Sequence, residues 1–346
     1  MKHNQVINQT RRQLVIGAGS LSLLGSGFAS AQGASTNLKI SHQFPGGTID
    51  EGDFRDRLVR RFAQAVESRS NGGVKFQIYP GSSLMKVNAQ FSAMRKGALD
   101  MSLFPIPYAG GEVTETNIGL MPALVTSYEQ AAKWKTAEVG GMFSKLLADK
   151  GIVILSWIWQ AGGVASRSKA LVSPEDAKGL KVRGGSKEFD MMLKDAGASV
   201  ISLPSSEIYA AMQTGAMDAA FTSSTSFISF KLEELAKAYT GAQNKSYWFM
   251  LEPLIMSKKV FDALPPDHQT LLMTVGAEME AYGMAEAKKD DVMAGQIYEK
   301  AGAKVFALDD AVVSKWRDIA ARTAWKDFSD RNATCAALLK AAQQLI

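Results

Sequence analysis

The chain predicts an α/β protein built as two lobes, with one long helix. Three observations lead there. Short apolar, strand-like runs alternate with amphipathic helical stretches along most of the 346 residues, the pattern that packs helices against sheets. A composition of 46% hydrophobic and 21% charged residues is globular and supplies two domains of about 150 residues each. Residues 266–300 hold no proline after Pro266 and few strand formers, which reads as one helix well beyond the usual length of about 8 to 20 residues.

Taken in order, the first element is a leader. Thr10-Arg11-Arg12-Gln13-Leu14-Val15 opens an apolar, small-residue run that reaches Phe28 and ends in Ala29-Ser30-Ala31. This predicts a signal peptide of twin-arginine type over residues 1–31, cleaved after Ala31, and a mature protein in the periplasm. The run is too short and glycine-rich for a membrane span, and no later stretch reaches the required length of about 20 apolar residues. The leader carries Lys2, Arg11 and Arg12 and no acid, so its removal takes the formal charge from +5 to +2. That balance predicts no nucleic-acid surface.

A strand is expected over Asn37–His42, then a helix over Glu51–Ser70 with Phe54, Leu58, Phe62 and Ala65 on one face, then a strand over Val74–Tyr79. Val87–Lys96 reads as a helix closed by Gly97. Asp100–Phe104 reads as a buried strand, broken by Phe104-Pro105-Ile106-Pro107-Tyr108. Further strands are expected at Ile152–Trp157, Leu180–Arg183, Ser199–Leu203 and Met217–Phe221.

The block from Ser173 to Asp218 is the most informative. Leu180 to Arg183 alternate apolar and polar, and Gly184-Gly185 turn the chain. Ser186 then stands as an N-cap, and Phe189, Met192, Leu193 and Ala196 recur at helical spacing until Gly197 stops them. The order strand, Arg183, turn, helix sets a guanidinium at the carboxyl end of a strand, beside free N–H groups that favour an anion. Its planar fork matches a carboxylate. On spacing alone a surface salt bridge competes with this reading. Ser205 has a competing role too, as N-cap of a helix over 206–214.

Nothing in the motifs marks an enzyme. His42 and His268 are the histidines outside the leader, and neither stands in a nucleophile or metal pattern; HExxH, CxxC, GxSxG, GxGxxG and GxxxxGK are absent. No catalytic residue, metal or cofactor is predicted, and His42 is expected to be structural or a hydrogen-bond donor in a cleft. Cys335, the single cysteine, can form no internal disulfide and reads as a small packed thiol.

The Ser173–Asp218 block resembles the extracytoplasmic solute-binding proteins of tripartite ATP-independent periplasmic (TRAP) transporters, the DctP family. So do Phe62–Leu84 (FAQAVESRSNGGVKFQIYPGSSL), Met94–Met101 (MRKGALDM) and Met256–Leu272 (MSKKVFDALPPDHQTLL), in matching order. The resemblance implies a two-lobe periplasmic-binding-protein fold with a long connecting helix that braces both lobes. Lobe I would comprise residues 37–160 plus about 248–290, and lobe II residues 161–247 plus about 291–346. By the same resemblance Arg183 grips a ligand carboxylate, and Ser186, Ser205, Thr222 and Ser223 face the cleft.

The departures from the family pattern narrow the ligand. Gly163 stands where the sugar-acid branch usually has a second arginine, and Phe221-Thr222-Ser223 where many members have Glu-Asn-Pro. Trp157, Trp159 and Gln160, with Phe44 and the segment from Phe104 to Tyr108, are expected at strand ends facing the cleft, at least one tryptophan going to the core. Aromatic walls with few polar anchors favour a keto, hydroxy or aromatic acid with a compact apolar body. The partners implied are the small and large TRAP membrane subunits. A sensor kinase is the alternative recipient, and an exported hydrolase the alternative class. A homodimer and an accompanying metal ion are left open.

Overall fold

The computed structural model describes residues 35–243 and 245–346, so the expected leader lies outside the described residues. The strands are β1 (Thr36–Ser41), β2 (Val74–Tyr79), β3 (Met101–Leu103), β4 (Ile152–Ser156), β5 (Trp159–Ser166), β6 (Lys181–Arg183), β7 (Ser199–Val200), β8 (Ala219–Ser223), β9 (Ala238–Thr240), β10 (Trp248–Leu251), β11 (Leu254–Ser257) and β12 (Lys304–Phe306). The helices are α1 (Phe54–Arg69), α2 (Val87–Lys96), α3 (Tyr128–Lys133), α4 (Glu138–Asp149), α5 (Lys187–Asp195), α6 (Ile208–Gln213), α7 (Ser224–Ser229), α8 (Lys258–Asp262), α9 (Pro266–Lys300), α10 (Asp310–Ala320), α11 (Lys326–Arg331) and α12 (Ala333–Gln343).

Two sheets result. The first has the order β2-β1-β3-β11-β4, with β1 parallel to both neighbours and β11 inserted antiparallel between β3 and β4. The second has the order β12-β9-β5-β8-β6-β7, with β10 also pairing antiparallel to β5. The chain passes to the second sheet between β4 and β5, returns between β10 and β11, and reaches β12 along α9. No helix among the described residues is long and apolar enough to cross a membrane.

Local chemistry accounts for the boundaries. The first helix starts at Phe54, later than its periodicity suggests, because the Asp53 side chain caps it by accepting from Arg55 N. The second ends as expected at Gly97, whose φ of 75° suits glycine. Strand β7 stops at Val200, short of the expected Leu203, because only Lys181 and Val182 offer it ladder partners. The Leu203 carbonyl accepts a side-chain bond instead.

Helix α9 spans the expected residues and at 1.5 Å per residue is roughly 50 Å long. It packs on α1 and β4 of the first sheet and on β5 and α7 of the second. The approach is close: a Cβ on Gly276 would lie 2.2 Å from the Leu155 carbonyl oxygen. Helix α10 packs on α5, and α12 packs on α4.

Candidate ligand-binding site

Three residues of β6 carry the central cation to its place. Parallel pairing of Val182 with Ala219 and of Arg183 with Ala220 puts Arg183 at the carboxyl edge of the second sheet. Gly185 follows at a φ of 105°, and a Cβ there would sit 2.9 Å from Arg183 Nη1, so both backbone and space call for glycine. Ser186 caps α5, accepting from Phe189 N at 3.0 Å, and donates across to the Leu120 carbonyl at 3.0 Å.

Arg183 is 1% exposed. Its Nε donates to the Leu203 carbonyl at 3.1 Å and its Nη1 to the Phe221 carbonyl at 2.7 Å, both on its own lobe. Nη2 donates at 2.7 Å to the hydroxyl of Tyr108, which comes from the turn after β3 in the first lobe. Tyr108 also accepts from Ser205 N at 3.0 Å, and Phe104 packs edge-on against its ring. Of the five N–H bonds of the guanidinium, one on each Nη is left over among the described residues. Tyr108 and Leu203, which bond to Arg183, also line a cavity of about 510 Å³ with Asn117, Ser186 and Glu207, and Arg183 itself is not in its wall. On α5, burial pushes Asp190 up to about 6 although Arg183 pulls it down.

A second buried guanidinium joins the lobes nearby. Arg55, in the first turn of α1, holds Asp53 through Nε (2.9 Å) and Nη2 (2.7 Å). Its Nη1 reaches Ser226 Oγ at 3.0 Å, Ser223 Oγ at 3.3 Å and Glu252 Oε2 at 3.3 Å. The ring of Phe44 lies 3.6 Å from its centre. Burial alone would lower the pKa of Arg55, but Asp53 and Glu252 outweigh it and raise it. Gln160 donates its amide to the same Glu252 oxygen. Burial pushes Glu252 up to about 7, against Arg55 and Arg183, while Asp53 adds to the rise. Among the described residues, Glu252 Oε1, Gln160 Oε1 and Gln43 Nε2 are buried without a partner.

The structure thus groups Tyr108, Phe104, Ser186 and Ser205 around Arg183, and Phe44, Gln160 and Ser223 around Arg55. Two expected residues stand apart. Thr222 alternates with Phe221 and Ser223 along β8 and faces the other side of the strand. Trp159 packs edge-on against Trp134 with ring centres 5.0 Å apart, and Trp157 packs on Phe143. Both tryptophans are buried packing, Trp157 just after β4 and Trp159 at the start of β5, which leaves Phe44, Phe104 and Tyr108 as the expected aromatic residues near the two guanidinium groups.

Ser205 is not the expected cap: Pro204 precedes the turn, Ser205 lies in it, and its N–H is what binds Tyr108. His42 is structural, its Nε2 meeting Asp56 Oδ1 at 3.1 Å. The sequence reading passed over Arg55, Asp53 and Glu252. The one local signal was Asp53-Phe54-Arg55-Asp56, three charges packed into the opening of an amphipathic helix.

Comparison with known proteins identifies the family. The profile of the family described as bacterial extracellular solute-binding protein, family 7 (DctP), matches residues 48–331. A solute-binding protein of Albidiferax ferrireducens is 65% identical over 336 residues, covering 97% of this chain and 99% of its own. A C4-dicarboxylate-binding periplasmic protein of Rhodobacter capsulatus is 29% identical over 86% of this chain and 87% of its own. A crystal structure of a TRAP periplasmic solute-binding protein from Rhodoferax ferrireducens, with bound malonate, superposes with a TM-score of 0.88 at 68% identity, covering 89% of this chain and 98% of that one. The protein described here therefore belongs to the DctP family of TRAP solute-binding proteins.

Proposed function

We propose that this protein is the periplasmic receptor of a TRAP transporter for a compact organic acid, which Arg183 holds by its carboxylate and which the closed complex delivers to the small and large membrane subunits. The observation that carries the reading is the buried guanidinium of Arg183, fixed by two backbone carbonyls and Tyr108 with one N–H on each Nη unspent. Two free donors on one guanidinium suit the two oxygens of a carboxylate. The short aromatic set of Phe44, Phe104 and Tyr108 suits a small body over a polyhydroxy chain. The bound malonate of the 68%-identical relative is an acid of that size.

Isothermal calorimetry with malonate and a panel of keto, hydroxy and aromatic acids tests the reading. Saturable binding of at least one acid is expected for the wild type and its loss for Arg183→Ala. Equal affinity of the two proteins would remove Arg183 from the site.

A further inference from the structure

We propose that Glu252 is the proton-carrying residue of the binding site: closure over an anionic ligand draws a proton onto its carboxyl group, so that the acid is captured together with a proton. The inference rests on the carboxylate reading of Arg183.

Glu252 occupies the return crossing between β10 and β11, where its N–H donates to the Ile158 carbonyl at 2.7 Å. The residue is fully buried. The charged groups facing it come from three places: Arg55 on α1, Asp53 just before α1, and Arg183 on β6. Together with Glu252 itself these are two guanidinium and two carboxylate groups; Asp190 faces Arg183 as well, and Asp290 faces Arg55 and Asp53, so the buried acids already outnumber the cations. A ligand carboxylate adds a negative charge inside an enclosure with no counter-ion to spare, and an unbalanced buried charge is costly. The guanidinium groups cannot relieve it, since they are already cationic. Only a carboxylate can, by taking a proton.

The geometry selects which one: Asp190 accepts from Gly184 N at 3.2 Å and Asp290 from the Thr225 hydroxyl at 2.7 Å. Both oxygens of Asp53 are engaged by Arg55, through Nε and the backbone N–H on one and Nη2 on the other. Glu252 uses only Oε2; its Oε1 is buried without a donor, and the Gln160 side chain that touches it has an unpaired Oε1 of its own. A proton on Glu252 Oε1 converts one of two crowded acceptors into a donor, for Gln160 or for a ligand oxygen. Burial already places this group at about 7 with no ligand, and Arg183 is one of the charges that hold it down. A carboxylate bound on Arg183 cancels that pull. The bound state then holds the proton more firmly than the free state, so affinity is highest at low pH and falls as pH rises through the bound-state value.

Calorimetry of malonate binding, run between pH 6 and 8.5 in two buffers with different ionisation enthalpies, reads the proton count directly. The wild type is expected to take up roughly half to three-quarters of a proton per malonate near pH 7.5, since a group at about 7 is partly protonated there before the ligand arrives, with affinity falling by up to about tenfold per pH unit between the free-state and bound-state values. Glu252→Gln should lose that uptake and bind with little dependence on pH, whereas Asp291→Asn, a buried acid on α9, should keep the wild-type uptake. The wild-type buffer dependence needs no variant, so a Glu252→Gln protein that fails to fold does not spare the idea. Should malonate not bind, the tightest acid of the panel takes its place. Binding without proton uptake, or uptake that survives in Glu252→Gln, overturns this inference alone. Failure of every acid to bind overturns the carboxylate reading beneath it.

Discussion

Truncating Arg183 removes more than a charge. The Leu203 and Phe221 carbonyls and the Tyr108 hydroxyl all lose the donor that holds them, and on the proposed function the ligand would lose two charge-assisted bonds worth about 1.5 to 3 kcal/mol each. Taking the lower figure twice, Arg183→Ala should weaken binding of the panel's best acid by about two orders of magnitude, read as Kd by calorimetry. Arg183→Lys should recover only part of this, because an ammonium restores the charge but not the parallel pair of donors. A lysine variant that binds as well as the wild type would show that the fork geometry is irrelevant. Arg183 was legible in the sequence because strand alternation, the glycine turn and the N-cap are all local. Arg55 was not, because its partners Ser223, Ser226 and Glu252 lie about 170 to 200 positions away in the chain. The only local sign was the run Asp53-Phe54-Arg55-Asp56, which an exposed helix start could carry equally well.

Among the elements, α9 carries the clearest tests. Ala is a better helix former than Gly by about 1 kcal/mol, so propensity alone says that Gly276→Ala stabilises the protein. The packing says the reverse: the new Cβ would meet the Leu155 carbonyl at 2.2 Å, and backbone cannot swing aside as a flexible side chain would. We expect a loss of about 1 to 3 kcal/mol and a lower Tm by calorimetric scan; a gain would mean that the helix does not press on β4.

The same helix buries adjacent acids. Asp291 accepts from the Tyr128 hydroxyl at 2.8 Å and Asp290 from Thr225 at 2.7 Å, which ties α9 to α3 and to α7. Burial pushes Asp290 up to about 6 and Asp291 to about 7, although their hydrogen bonds work the other way. A raised carboxyl pKa means that the folded chain binds more protons than the unfolded one, so these groups favour folding most below about pH 4, and that contribution is lost as pH climbs toward 7. Asp291→Asn should therefore gain stability at pH 8, by roughly 2 kcal/mol or more, and show a flatter dependence on pH from 5 to 8 in urea unfolding. Equal pH slopes for variant and wild type would contradict the assignment.

At the scale of the whole molecule, the cross-lobe bonds of Arg183 to Tyr108 and of Arg55 to Ser223 and Ser226 join halves whose sheets share no strand. A ligand that completes this junction should stabilise the protein by mass action, by about 2.7 kcal/mol at a hundredfold excess over Kd. A thermal-shift screen should accordingly show a rise of several degrees for true ligands and none in Arg183→Ala. A rise of equal size in that variant would place the bound acid elsewhere. The sequence by itself determined the alternation of strands and helices, the length of α9, the glycine turn behind Arg183 and the family, since each depends on residues within a few positions or on their order. Only the tertiary structure decided that Trp157 and Trp159 pack on Phe143 and Trp134, that Tyr108 meets Arg183, and that Arg55, Asp53 and Glu252 converge between the two sheets. Those contacts arise where the chain crosses from one sheet to the other and back, and periodicity along a strand or helix carries no information about which distant segment lies opposite.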